Sequence, residues 1–132
     1  MTIAFMHADI RNDAFEHAAL ISSAKTHSSN VYRLNGEKIG RIEHMMIDKI
    51  SGRIAYVVMS TGGFMGEGYD FYPLPWSLLT YNDRLGGYEF DVSDEHLKDA
   101  PKFTLPEAWD WADLSRGRRV HDYWSALPYW GF

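Results

Sequence analysis

The sequence predicts a mainly β domain of about six short strands, with a short N-terminal helix before it and a partly helical, aromatic-rich extension after it. Three observations carry this reading. Runs of β-branched and aromatic residues recur between Val31 and Val92, separated by the turn pairs Asn35-Gly36, Ser51-Gly52 and Gly86-Gly87. The run "IAYVVMS" is too continuous to be solvated on one face, so it belongs inside a sheet. The last 24 residues hold seven large aromatics, far more than a solvated tail carries. At 132 residues the chain suits one compact domain with appendages. We divide it into an N-terminal helix and linker (1–29), a β domain (30–103) and an aromatic-rich extension (104–132).

The elements follow in order. The stretch "DAFEHAALI" is weakly amphipathic and reads as the helix, and the polar run "SSAKTHSS" reads as a flexible join. "VYRL" and "EKIGRIEHMMID" form two strands around Asn35-Gly36, the dipeptide best matched to the twist of a tight hairpin. Alternation fails in the second strand, and Gly40 marks a bulge or a close backbone approach. "DKISGR" turns into "IAYVVMS", which is expected as the central strand. In "YDFYPLPW", Pro73 and Pro75 each remove a backbone donor and confine the segment to an edge or irregular strand. "SLLTY" continues extended, "NDRLGG" turns, and "YEFDV" places Tyr88, Phe90 and Val92 on one face. "SDEHLKDAP" is one or two helical turns, with Ser93 as N-cap, acidic residues in the first turn and Pro101 beyond the end.

Composition narrows the function. No apolar run is long enough for a membrane span, so direct membrane insertion is not expected. The N-terminus has no cationic leader and carries Asp9 and Asp13 where a signal peptide needs apolar residues, so a cytoplasmic location is the default. The absence of cysteine removes disulfides, thiolate catalysis and cysteine metal sites. A net charge of −5 disfavours broad electrostatic binding to nucleic acid. The acid is concentrated in residues 30–101, with 7 Lys and Arg against 11 Asp and Glu, while residues 102–132 balance at four against four.

The loop "STGGFMGEGYD" tests for a phosphate site. Gly63 and Gly68 have the spacing that opens a phosphate loop, but Tyr69 and Asp70 follow where Lys and Ser or Thr should stand. Pro73 and Pro75 exclude the helix such a cradle needs, and Glu67 and Asp70 would repel phosphate. The glycines are therefore expected to connect strands. Phe64 and Met65 at the tip either fold back over a core or grip a partner.

Together "VYRLNGEKIGRIEHMMIDKISGRIAYVVMSTGGFMGEGYDFYPLPWSLLTY" resembles the PRC-barrel family, the domain shared by the photosynthetic reaction centre H subunit and the ribosome maturation factor M. The marks are Gly36-Glu37 with Ile39-Gly40, the strand-turn-strand "IDKISGRIAYVV", the Gly-Gly-Phe loop and Pro75-Trp76. "FDVSDEHLKDAPKF" is similar to the family's end, so residues 20–103 are covered. The resemblance implies a small β-barrel that serves as an assembly or interaction module, often paired with itself, with no catalytic residues to carry over. Here Asp70 precedes the Pro-Trp where many relatives are more basic, which makes a shared anionic partner less expected.

The residues themselves point the same way. The six histidines, His7, His17, His27, His44, His96 and His121, show no i, i+2 or i, i+4 spacing, so no metal or other cofactor is expected. His44 reads as a solvated strand histidine, though its neighbours Glu43 and Asp48 would permit a pH-sensitive contact. Ser60 and Ser77 do not sit in a nucleophile elbow, and Asp94-Glu95 fit a helix cap. No enzyme is expected. The candidate interaction residues are Phe64, Met65, Trp76, Trp109, Trp111, Arg116, Arg118, Arg119, Tyr123, Trp124, Tyr129, Trp130 and Phe132. The tail aromatics must be buried on their own domain, on a second subunit or on an outside partner. Arg116, Arg118 and Arg119 beside Tyr123 and Trp124 imitate a nucleic-acid site, although Asp113 and Asp122 can pair with them. The leading expectation is a non-enzymatic, homodimeric interaction module, with an unknown protein as a further expected partner. The alternatives are an RNA- or ribosome-associated accessory factor and a peripheral component of a membrane energy-converting complex.

Overall fold

The computed structural model describes residues 19–62, 68–105 and 109–128. Asparagine, glycine and proline chemistry divides the chain into six strands: β1 (Asn30–Tyr32), β2 (Lys38–Ile47), β3 (Ile54–Gly62), β4 (Tyr69–Pro75), β5 (Thr80–Asn82) and β6 (Gly87–Glu89). They form one sheet in the order β4-β3-β2-β1-β6-β5. Six strands form and the mainly β class holds, although Ser77 and Leu78, read as extended, lie in a 3-10 turn and the fifth strand begins only at Thr80. The described ladder does not close on itself, however, because β4 and β5 stand at its two edges, joined in sequence by a 3-10 turn at Trp76–Leu78.

Each junction has a local cause. At the first hairpin Asn35 Oδ1 accepts from Glu37 N at 2.9 Å, and Gly36 takes φ +89°, a conformation that costs glycine little. At the second, the Asp48 carboxylate accepts from Ile50 N and Ser51 N at 3.3 Å and from Ser51 Oγ at 2.6 Å. Gly40 combines both roles expected of it. Ile39 is an extra residue between the Val31–Gly40 and Tyr32–Lys38 pairs, and a Cβ on Gly40 would lie 2.6 Å from the Ser60 carbonyl oxygen.

β3 lies inside the sheet between β2 and β4, one place from the edge rather than at its middle. Residues Ala55 to Ser60 are all buried, which accounts for the unbroken apolar run. β4 is an edge strand, as its prolines require. Its outer side is partly capped by Phe103, whose backbone exchanges hydrogen bonds of 2.8 and 2.9 Å with Phe71. β6 pairs in parallel with β1 through Val31–Tyr88 and Tyr32–Glu89, which brings distant segments together over a core of Val31, Ile42, Val57, Met59, Leu74 and Tyr88.

Three short helices complete the description: α1 (Ser23–Thr26), α2 (Asp94–Lys98) and α3 (Leu114–Trp124). The helix expected over "DAFEHAALI" falls chiefly outside the described residues. The polar run read as a flexible join instead folds as α1, because Ser22 caps it and Thr26 is buried with its hydroxyl 3.1 Å from Tyr88 OH. Ser28 N and Ser29 O then bond to Ile42 at 2.8 Å each, extending the ladder. Ser93 caps α2 as expected, accepting from His96 N at 3.1 Å.

Candidate interaction surface

The described part of the extension packs on its own sheet. Asp113 caps α3 by accepting from Ser115 N at 2.9 Å and Arg116 N at 3.4 Å. One helix face then buries Val120, His121 and Trp124. Trp124 is 7% exposed, with its ring 5.2 Å from Phe90 and 4.9 Å from His96. Tyr123 is half-buried beside it, its hydroxyl donating to the His96 carbonyl.

Trp109 and Trp111 form a second cluster at the start of the extension. Trp109 lies 5.4 Å from Phe103, with the Arg116 guanidinium 5.5 Å above its ring, and Trp111 lies 5.6 Å from Tyr56. Arg116 also pairs with Asp113 at 3.5 Å. Arg118 and Arg119 are exposed, and among the described residues neither forms an ion pair. Trp76 sits apart from both clusters, half-buried and edge-on to Tyr88 at 5.5 Å. Phe64, Met65, Tyr129, Trp130 and Phe132 lie outside the described residues.

The surface that sequence reasoning missed lies beside Trp111. Met46, Ile47, Ala55, Tyr56 and Trp111, with Asp48, Lys49 and Ile50 of the turn, line a groove of about 350 Å³ at the β2–β3 turn. Ile47 is 55% exposed and Ile50, at the apex of the turn, is 97% exposed. The available signal was an isoleucine in the otherwise polar turn "DKISGR". A more polar cleft of about 300 Å³ lies at the other end of β2 and β3, lined by Lys38, Arg41, Ser60, Thr61 and Tyr69. Burial raises the pKa of the neighbouring Glu43, but hydrogen bonds from Arg41 and Ser60 Oγ outweigh it and leave the carboxylate below its ordinary range. Those contacts occupy the Arg41 charge. Among the described residues no group of three or more His, Asp or Glu side chains is placed to hold a metal ion.

His121 is the buried titratable group that joins the extension to the sheet. It is 3% exposed, with Nε2 3.0 Å from Tyr56 OH. Burial lowers its pKa, offset only in part by backbone hydrogen bonds at Ala126 and Leu127 and by the charge of Asp122. The neutral ring is therefore the folded form. Below the unfolded value of about 6.5 the unfolded chain takes up a proton that the folded chain resists, so stability falls as pH drops from there toward the folded value. The thermal midpoint is expected to decline from pH 7.5 to pH 5, and His121→Gln is expected to flatten that dependence. The same slope in parent and variant would refute the assignment.

A six-stranded sheet sealed by a helical extension defines a small mainly β domain. The chain belongs to the PRC-barrel domain family, whose match covers residues 28–97. It is also similar to an uncharacterized protein of Deinococcus radiodurans, at 22% identity over 113 residues. That alignment takes in 86% of this chain and 40% of the relative, so the chain spans less than half of that protein's length. No helix among the described residues is long and apolar enough to cross a membrane.

Proposed function

We propose that this protein is a non-catalytic PRC-barrel interaction module that associates with a second copy of itself. The observation that carries the reading is the exposed apolar pair Ile47 and Ile50 at the rim of a groove walled by Trp111. Apolar residues grouped on a surface in this way favour association, because pairing removes them from water. Trp111 is the expected interaction residue that borders this groove, while Trp124 is already consumed in the chain's own core.

Sedimentation equilibrium of the full chain tests the reading. The expected result is a concentration-dependent species of twice the 15.2 kDa chain mass that persists in high salt, because apolar burial is not screened. A 15.2 kDa species alone at every concentration overturns self-association.

Exposed Arg118 and Arg119, with Arg116 above Trp109, support a second reading as an RNA-associated factor. That reading requires binding to structured RNA that weakens steeply with added salt. Absence of binding at low salt eliminates it.

A further inference from the structure

The groove at the β2–β3 turn lies beside the point where the chain leaves α3. Its apolar walls are Met46, Ile47, Ala55, Tyr56 and Trp111, and the turn supplies the rest of the lining. Tyr56 OH lies 3.0 Å from His121 Nε2, and the His121 ring is hydrogen-bonded to the backbone at Ala126 and Leu127. The left-handed conformation of Ser125 (φ +54°) ends the helix, and Ala126 N then donates to the His121 carbonyl at 3.0 Å. One side chain, His121, therefore separates residues 126 and 127 from a wall of the groove. Pro128 favours an extended Leu127 and fixes its own φ, so α3 does not continue through it.

Four residues follow Pro128 in the sequence, and Tyr129, Trp130 and Phe132 among them are large aromatics. Fully extended, four residues span about 14 Å, enough to pass the His121 side chain and reach the groove. Its walls are apolar and aromatic, so a ring moved into it leaves water and meets other rings. We propose that Trp130 seats in the groove of its own chain, against Tyr56 and Trp111, and competes there with a second copy. A segment tethered beside its seat has an effective concentration of about millimolar, so it holds the groove against a dilute second copy even where its contacts are few. The seat stands on the groove and the path of the chain, whereas the competition rests on the self-association proposed above.

The chain has no cysteine, so a pair of introduced thiols reports proximity without interference. In the full chain, Lys49→Cys with Gly131→Cys is expected to lose both free thiols under mild oxidation while keeping the mass of one chain. Leu34→Cys with Gly131→Cys is the control, because Leu34 is exposed on the β1–β2 turn at the far end of β2, about 30 Å along a ten-residue strand. Equal oxidation rates in the two pairs overturn the seat, and a covalent species of twice the chain mass overturns it in favour of the groove of a second copy. Trp130→Ser is expected to slow closure of the first pair at least fivefold and, in sedimentation equilibrium of the cysteine-free chain, to tighten dimerisation about tenfold. A parental dimer that Trp130→Ser leaves unchanged or weakens overturns the competition alone. Monomers in both chains at every concentration overturn self-association and the competition with it, and the disulfide result still decides the seat.

Discussion

Replacing Trp124 by alanine is expected to destabilise the chain by about 3–5 kcal/mol, the range for deleting a buried tryptophan. The side chain is 7% exposed and packs between Phe90, which follows β6, and His96 of α2, while its own helix lies against β4. Its removal leaves a void where three segments meet. A domain of this size is stable by about 5–15 kcal/mol, so the loss is a large fraction of the total. Urea denaturation monitored by far-ultraviolet circular dichroism measures it, with Arg118→Ala as an exposed control expected to stay within about 0.5 kcal/mol of the parent. A Trp124→Ala midpoint equal to that control would mean the extension is not anchored through this residue.

Gly40→Ala is expected to destabilise the sheet. The new methyl would meet the Ser60 carbonyl oxygen at 2.6 Å and Met59 Cγ at 2.8 Å. Met59 can move, but the carbonyl belongs to the backbone of β3, so relief requires β2 and β3 to part. Overpacking of this kind costs about 1–3 kcal/mol, which in a domain of this length lowers the thermal midpoint by roughly 4–12 °C. Gly68→Ala is the matching control, because an added methyl there meets nothing within 4 Å among the described residues. Equal midpoints for the two variants would refute the close approach.

Much of the strand plan was legible because its signals are local. Asn35-Gly36, Asp48 with Ser51-Gly52, Pro73 with Pro75, and Ser93 each act on backbone within a few residues, so reading them requires no knowledge of the rest of the chain. The mixed parity of β2 was likewise legible through Gly40. The run "SSAKTHSS" was misread because its polarity matches a linker. Thr26 is buried only because Tyr88, 62 residues away, supplies a hydroxyl partner. Ile50 went unremarked for the opposite reason: an apolar residue in a turn becomes informative only once the groove beside it is seen.

The sequence by itself determined the number and order of the strands, that the segment with Pro73 and Pro75 is an edge or irregular strand, that a buried strand runs from Ile54 to Ser60, and which family the chain resembles. These follow from backbone dihedrals, missing donors and apolar patterning, all properties of neighbouring residues. Only the tertiary structure decided the parallel pairing of β1 with β6, the docking of His121 on Tyr56 and the burial of Trp124 in the chain's own core. It also separated aromatics enclosed by their own domain from those beside an open groove. Composition shows that so many rings need burial, but which surface buries each one depends on contacts between residues far apart in the chain, and those exist only after the sheet has assembled.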